Sequence, residues 1–421
     1  MNVWVIAIGE PLPIDAGKPR LLRSGLIANT LADRGHSVTW WTSSFDHVLK
    51  QDRTCQDEVV QVSEKLRIYM LYASGYRKNV SVARIVNHLA LARRFSSLSR
   101  REARPDIILT SFPSIALSAA ATAFGRANSV PVVVDIRDLW PDIFLDLFPG
   151  FLHGLARTAL IPAFHMARKT CRQATAITGI TSPFVKWGLK NAGRGPEKLD
   201  REFLMGYSSK VPSAREIAQA SEYWQLQGIS EGREEFIVCF CGYLGQHFDL
   251  ETVIRAARQL REENKRSIRF VFCGTGEKLD HYKQLAAGCG NILFPGWIDF
   301  PKIWFLLQKA AVGLAPYKNI KNFTLNLPNK PAEYFSAALP VLTSLKGLLS
   351  ELLAETDTGL AYEENNPDDL IDKLIFLYDN PEKRRTMAQN SLLLYENQFK
   401  AETVYEALAD YLEKIGKARR Q

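Results

Sequence analysis

The chain has 421 residues, 46% hydrophobic and 23% charged, which excludes a mostly disordered chain, a collagen and a coiled-coil rod. At about 100–200 residues per domain it holds two or three domains with full-sized cores. A net charge of +8 is a modest excess that fits phosphorylated substrates, an anionic membrane surface or nucleic acid, so its distribution matters more than its size.

Residues 1–8 have no basic leader and too short an apolar run for a signal peptide, so 3–8 reads as a buried first strand. A loop with Gly9, Pro11, Pro13 and Gly17 leads to a helical period over 21–34, ended by Gly35, and a strand over 38–42. Residues 107–110 and the continuous apolar run 130–135 read as strands flanking a helix over 114–127. Such runs fit a parallel sheet covered on both faces. Residues 208–235 are rich in Ser, Gln and Glu, with no clear apolar face after Val211, and read as a linker or surface insertion. The strand–helix pattern restarts at 236–241 and continues through strands at 268–273, 292–294, 312–315 and 340–343. Two helical stretches, 367–378 and 381–415, end in Lys417, Arg419 and Arg420.

The expected fold class is therefore α/β, with two doubly wound domains facing across a cleft. Residues 1–207 form the first domain, 208–235 the linker and 236–399 the second, with the helix of about 400–421 returning to the first. The six cysteines show no metal-site spacing; Cys239, Cys241 and Cys273 fall in strand-like runs and read as buried free thiols. No unbroken run of about 20 apolar residues is present, and cytoplasmic residence is the default expectation.

Ligands of doubly wound sheets bind outside the carboxyl ends of the strands. Gly274-Thr275-Gly276 follows a strand and opens a helix, as a phosphate-binding turn or a plain tight turn would. In the segment 326–341, Pro331 suits a first helical turn, and Lys330 with exposed N–H groups would suit a diphosphate. Glu333, three residues on, shares that helix face and would accept from ribose hydroxyls; a surface Lys–Glu pair is the plain alternative. Asp138 follows the apolar strand and either serves chemistry, caps the segment before Pro141 or pairs with Arg137. His247 is a phosphate contact or a solvated loop residue.

The stretches 236–249, 270–282, 291–298, 303–317 and 328–343 together resemble the C-terminal domain of glycosyltransferase family 4, the retaining group with the GT-B fold. Gly35-His36-Ser37-Val38 resembles the family's GHxV after the first helix, and Asp138-Leu139-Trp140-Pro141 resembles a segment typical of members that build bacterial surface polysaccharides. The resemblance implies two Rossmann-like domains and a metal-independent, cofactor-free transfer of a sugar from a nucleotide-sugar donor, UDP-linked. It implies donor contacts at Gly242, Tyr243, Gly274, Gly276, Trp297, Ile298, Lys318, Asn329, Lys330 and Glu333. The loop 11–18 would come near the transferred sugar, and Asp138 or Arg137 would lie at the reacting centre. Two family features are missing: the loop 242–249 has no Arg or Lys, and Leu325 replaces a glutamate. Lys330 or Lys318, with Arg20 or Arg23, would then compensate the diphosphate. A nucleotide-sugar epimerase or hydrolase of this architecture and a non-catalytic homologue are the alternatives.

Residues 77–104 carry eight cations and one acid, with Val82, Ile85, Val86 and Leu89 at near-helical spacing ahead of the densest charge. Residues 143–168 are nearly uncharged but broken by Pro149, Gly150 and Pro162. Both fit the face of an anionic membrane carrying a lipid-linked saccharide acceptor. The alternatives are a solvated face with an acidic partner for the first and a buried or partner-covered helix for the second. No aromatic platform accompanies the charge, so nucleic acid is not an expected partner.

Overall fold

The computed structural model describes residues 1–17, 19–208, 210–229, 235–263 and 267–418. The chain divides into two compact units, Met1–Leu204 with Glu402–Gln421, and Met205–Ala401. Lys18, Arg419 and Arg420 of the sequence reading lie outside the described residues.

The first unit is built on an eight-stranded sheet. Its strands are β1 (Asn2–Ile6), β2 (Ser37–Ser43), β5 (Glu58–Gln61), β6 (Leu66–Leu71), β7 (Ile107–Phe112), β8 (Val132–Ile136), β9 (Ala176–Gly179) and β10 (Arg201–Glu202), with a small ribbon of β3 (Phe45–Asp46) and β4 (Gln51–Asp52) beside it. The order is β10-β9-β8-β7-β1-β2-β6-β5, and β5, at the edge, alone among these eight runs antiparallel to its neighbour. Tertiary packing decides the helix Val82–Leu98. Its stripe Arg84, His88, Leu91 and Phe95 turns inward, and Phe95 meets Trp41 (5.1 Å) and Trp4 (6.1 Å). The outward stripe is therefore the apolar one, Val82, Ile85, Val86 and Leu89, with Val82 76% exposed.

The second unit holds a six-stranded, wholly parallel sheet in the order β13-β12-β11-β14-β15-β16. Its strands are β11 (Phe236–Cys241), β12 (Ile268–Cys273), β13 (Ile292–Gly296), β14 (Val312–Ala315), β15 (Val341–Thr343) and β16 (Gly359–Ala361). Cys239, Cys241 and Cys273 are buried free thiols in the central pair.

Two sequence readings need correction. The polar stretch 208–235 is not a plain linker. It contains the helix Ala214–Leu226, opened by a reciprocal Ser213–Glu216 capping box and buried only at Ala220 and Trp224. Trp224 Nε1 donates to the Lys302 carbonyl at 2.8 Å, so two side chains suffice to dock a helix whose other faces are polar. The single helical stretch 381–415 is broken by a wide turn at Tyr395–Phe399, and a new helix, Ala401–Ala418, begins there. That last helix packs in the first unit, where Arg34 pairs with Glu406, Asp410 and Glu413, and Tyr411 donates to the Leu199 carbonyl at 2.7 Å.

Candidate active site

In the second unit every proposed donor residue lies in a segment that follows a strand. The glycines there are explained first by packing. Gly242 N–H donates to the Cys273 carbonyl (2.8 Å), Leu244 N–H to Thr275 (2.8 Å) and Gly274 N–H to Gly296 (2.7 Å). Three post-strand loops are thus sewn together through their backbones. Gly274 has φ +135°, and a Cβ there would meet the Gly242 carbonyl; one at Gly276 would meet the Leu244 carbonyl. The tight-turn reading of 274–276 therefore accounts for these two glycines without a phosphate.

The helix Asn329–Ser336 starts after Pro328. From its first turn the Lys330 ammonium reaches the Cys241 carbonyl and lies 4.5 Å from the Phe240 ring centroid and 5.6 Å from that of Phe248. A Cβ on Gly242 would overlap this ammonium, so Gly242 and Lys330 are matched to each other. Lys318 joins the same edge through its N–H to the His247 carbonyl at 3.1 Å. His247 is exposed on its loop, as the solvated reading expected, with its ring 5.9 Å from that of Phe323. Glu333 is half-buried and accepts from the Tyr207 hydroxyl at 3.1 Å. Tyr207 was absent from the sequence reading, since 126 residues separate it from its partner. After β13, Trp297 is 72% exposed while Ile298 is buried. Tyr243 is exposed, and the Glu277 carboxylate beside it raises its phenol above the ordinary value.

The first unit carries a cavity of about 230 Å³ at the carboxyl ends of its strands, lined in part by Glu10, His47, Arg84, His88, Arg137 and Asp138. Behind it Asp135, fully buried, accepts from Arg23 Nε (2.8 Å) and Nη2 (3.0 Å), from Arg137 Nε (2.9 Å) and from the Thr178 hydroxyl (2.8 Å). Burial alone would raise this carboxyl, but the two guanidiniums overcome it and hold it far below the ordinary range. Arg137 also binds Glu10, which in turn accepts from the Ser24 N–H (2.9 Å) and hydroxyl (2.7 Å). Arg137 pairs with Asp135 and Glu10, so the expected Arg137–Asp138 pair does not form. Arg23, one of the cations expected to face a diphosphate, is 1% exposed and spends its other nitrogen on the carbonyls of Phe203 and Leu204. It is a clamp of the first unit and not a donor contact.

The residues that sequence reasoning missed are His47, Tyr76, Asn87 and His88, with Arg84 assigned to a surface. The His47 Nδ1 lies 2.7 Å from the Tyr76 hydroxyl, and the His88 ring stacks 6.0 Å from that of Trp140. Burial, then the charges of Lys50 and Arg84, lower His47 to about 4; burial and Arg84 lower His88 to about 3. Both imidazoles are neutral at pH 7. The i, i+4, i+7 spacing of Arg84, His88 and Leu91 was the available signal, but its polar half made it look like a solvent face.

The exposed apolar stripe of Val82–Leu98 shares a unit with Phe151 (86% exposed) and Leu155 and Ile161, also exposed, so 143–168 is not a buried helix. The cations there are not all available: Arg94 pairs with Asp57 (2.6 Å), and Arg67 takes Glu102 (2.6 Å). Among the described residues no helix is long and apolar enough to cross a membrane.

Comparison with known proteins fits this arrangement. The family profile for glycosyl transferases group 1 matches residues 226–392, and that for a glycosyl transferase 4-like domain matches residues 23–199. An uncharacterised glycosyltransferase of Methanocaldococcus jannaschii is 24% identical over 192 residues, a match taking in 44% of this chain and about half (48%) of that relative. Among solved structures, a sucrose-phosphate synthase from Thermosynechococcus elongatus superposes with a TM-score of 0.73 at 15% identity, covering 99% of both chains. HepE of Anabaena, in complex with UDP and glucose, gives 0.64 at 15% identity over 98% of this chain and 100% of its own. WaaG, a glycosyltransferase involved in lipopolysaccharide biosynthesis, gives 0.64 at 17% over 98% and 99%. With two parallel Rossmann-like sheets and both halves matched, the chain belongs to the group 1 glycosyltransferases of GT-B fold.

Proposed function

We propose that this glycosyltransferase moves a sugar from a UDP-sugar to a saccharide carried on a polyprenyl diphosphate, with retention at the anomeric carbon and without a metal. The product would belong to a bacterial surface polysaccharide. The observation that carries the donor half is the convergence of Gly242, Lys330 and Glu333 at one strand edge of the second unit. The Lys330 ammonium rests on a neutral carbonyl and two aromatic faces, and a diphosphate is a stronger partner than any of these. The N-terminus of Asn329–Ser336 adds the positive end of the helix dipole. Stabilising the departing diphosphate is the main electrostatic task of such a transfer. Glu333, which accepts from the Tyr207 hydroxyl, would accept from the ribose hydroxyls. The UDP and glucose held by HepE support this choice of donor.

In the first unit Asp138 would orient the acceptor hydroxyl, with Arg137 as the group that fixes the loop it stands on. The role of WaaG in lipopolysaccharide biosynthesis, together with the exposed Val82, Ile85, Phe151 and Leu155, supports a lipid-linked acceptor at an anionic membrane face. Thermal unfolding with millimolar UDP tests the donor half. Ligand at about a hundred times its Kd stabilises by roughly 2.7 kcal/mol, and Glu333→Ala is expected to remove most of that shift. No shift with UDP, GDP, ADP or CMP would turn the reading toward a non-catalytic homologue. Turnover of UDP-sugar without acceptor would favour the hydrolase or epimerase. Flotation with anionic vesicles, lost in Val82→Asp/Phe151→Asp, tests the membrane half.

A further inference from the structure

A second hollow, a groove of about 740 Å³, crosses the outer helices of the first unit and shares no lining residue with the cavity described above. One wall is the helix Val82–Leu98 with the turn Ser99–Arg101 that continues it, and the other is the helix Ile161–Gln173. The floor is the helix Ile115–Ala127, which packs against both and presents only Ala116, Ala119 and Ala120 there. The size is that of small-molecule sites, about 300–1,000 Å³. Arg93 and Arg100 stand on one wall and His165 and Lys169 on the other, and among the described residues no Asp or Glu lines the groove. The side chains of Arg93, Arg100 and Lys169 are exposed and have no hydrogen bond, ion pair or ring contact among the described residues. Arg94, next in the chain but outside the groove, is by contrast paired with Asp57. The three helices each return between parallel strands and so run in one direction. Leu89 and Pro162 therefore lie toward one end of the groove and Arg100 and Lys169 toward the other, roughly 10–16 Å along at about 1.5 Å per residue. The apolar end runs on into the exposed stripe, to which Leu89 also belongs, and into exposed Ile161.

We propose that this groove binds one molecule of an anionic phospholipid, its phosphate between Arg100 and Lys169 and an acyl chain over the alanine floor toward Leu89. The inference rests on the membrane half of the reading above and deepens it, from a face that lies on a bilayer to a site that takes a single lipid. Charge and polarity together select this occupant. With Val82, Ile85 and Val86 turned to the acyl region, the cationic end of the groove is the end farther from it. The groove then has the polarity of a lipid standing in the adjacent leaflet, head outward and tail inward. A soluble anion would use the cations and leave the apolar floor wet, and a second copy of this chain would set cation against cation. Guanidiniums match phosphate oxygens in pairs, and Arg93 and Arg100 can do so without first breaking an ion pair.

The test is calorimetric titration of the full chain with dihexanoylphosphatidylglycerol below its micellar concentration, beside dihexanoylphosphatidylcholine and glycerol 3-phosphate, together with flotation on phosphatidylglycerol vesicles. One anionic lipid is expected to bind per chain, and the zwitterionic lipid and the chainless head group about tenfold or more weakly. Arg93→Gln/Arg100→Gln removes charge and keeps the space, and is expected to weaken the anionic lipid about tenfold or more. Ala119→Leu fills the floor and keeps the charge, and is expected to do the same. Arg77→Gln/Lys78→Gln removes as much charge outside the groove and is expected to leave the titration unchanged. Val82→Asp/Phe151→Asp should lose vesicle flotation and keep the monomeric lipid. Equal weakening by the two paired substitutions, no weakening by Ala119→Leu, or no binding of monomeric lipid to a chain that vesicles still float overturns the proposal and leaves the membrane reading standing. A dimer that Ala119→Leu abolishes, with no lipid bound, overturns it in favour of a second copy. Monomeric lipid bound by a chain that no anionic vesicle floats would instead strike the membrane reading.

Discussion

The carboxyl edges of the two sheets are built by opposite means. In the first unit the strand ends are held by charge: Asp135 binds Arg23 and Arg137, and Arg137 binds Glu10, all in the interior. In the second unit the loops after β11, β12 and β13 are held by backbone touching backbone, with Gly242, Gly274 and Gly276 removing every side chain from the contact. A charged edge fills the space behind its cavity with side-chain ion pairs. A glycine edge keeps little charge but brings main-chain groups close to whatever binds there. The first edge is held rigid by side chains, the second by main chain.

Breaking the charged edge has the largest expected effect. Asp135→Ala strands two buried guanidiniums, a defect worth about 3–5 kcal/mol. Urea unfolding followed by tryptophan fluorescence reads it, since Trp4, Trp40 and Trp41 are buried in that unit. The expected result is an early transition of the first unit with the UDP-dependent shift of the second retained. Breaking the glycine edge comes next. Gly274→Ala places a methyl on the Gly242 carbonyl at a φ of +135°, a combined strain and clash of about 3 kcal/mol. It should remove the UDP-dependent shift while leaving the first unit's unfolding transition in place, the mirror image of Asp135→Ala.

Acid sharpens the comparison, because His47 and His88 line the cavity of the charged edge. His88, at about 3, and His47, at about 4, lie below the ordinary histidine value of about 6.5, so the unfolded chain takes up protons first. Stability is therefore full above pH 6.5 and falls as the pH drops toward 4. For His88 alone the loss between pH 7 and pH 5 is about 2 kcal/mol, with the more open His47 adding less. The lowered carboxyl of Glu413 lies near 2, so its stabilisation is lost between its ordinary value and that point, overlapping only the acid end of the histidine window. Unfolding midpoints at pH 7, 6 and 5 check this, and His88→Asn should flatten the profile.

These residues also show what a sequence discloses. Both sheets were legible because parallel strands buried on two faces are written as apolar runs, such as Val132–Ile136 and Phe236–Cys241. Lys330 and Glu333 were legible because they sit in one turn of one helix. The short edge pair Glu58–Gln61 and Leu66–Leu71 was not, since alternating exposure dilutes its pattern. The cavity of the first unit was invisible for a different reason. The helix Val82–Leu98 turns a polar stripe inward and an apolar one outward, which reverses the usual inference from periodicity. Pairings such as Arg23 with Asp135, 112 residues apart, are set by topology and leave no local mark.

The smallest expected effect separates a contact from a brace on the glycine edge. The Tyr207 main chain is fixed three times: its N–H donates to the Phe399 carbonyl (2.7 Å), and its carbonyl accepts from Ala401 N–H (3.0 Å) and from the Tyr395 hydroxyl (2.9 Å). Tyr207→Phe therefore leaves the ring in place and removes the hydroxyl's hydrogen bond to the Glu333 carboxylate. A bond of that kind contributes about 1 kcal/mol, so UDP should bind roughly fivefold more weakly while the ligand-free unfolding midpoint moves little. The same substitution made on Glu333→Ala should cost UDP nothing further, because the hydroxyl acts only through that carboxylate. An additive loss in the double variant would mean instead that Tyr207 touches the nucleotide itself, and the glycine edge would then extend beyond the strand loops to the segment that begins the second unit.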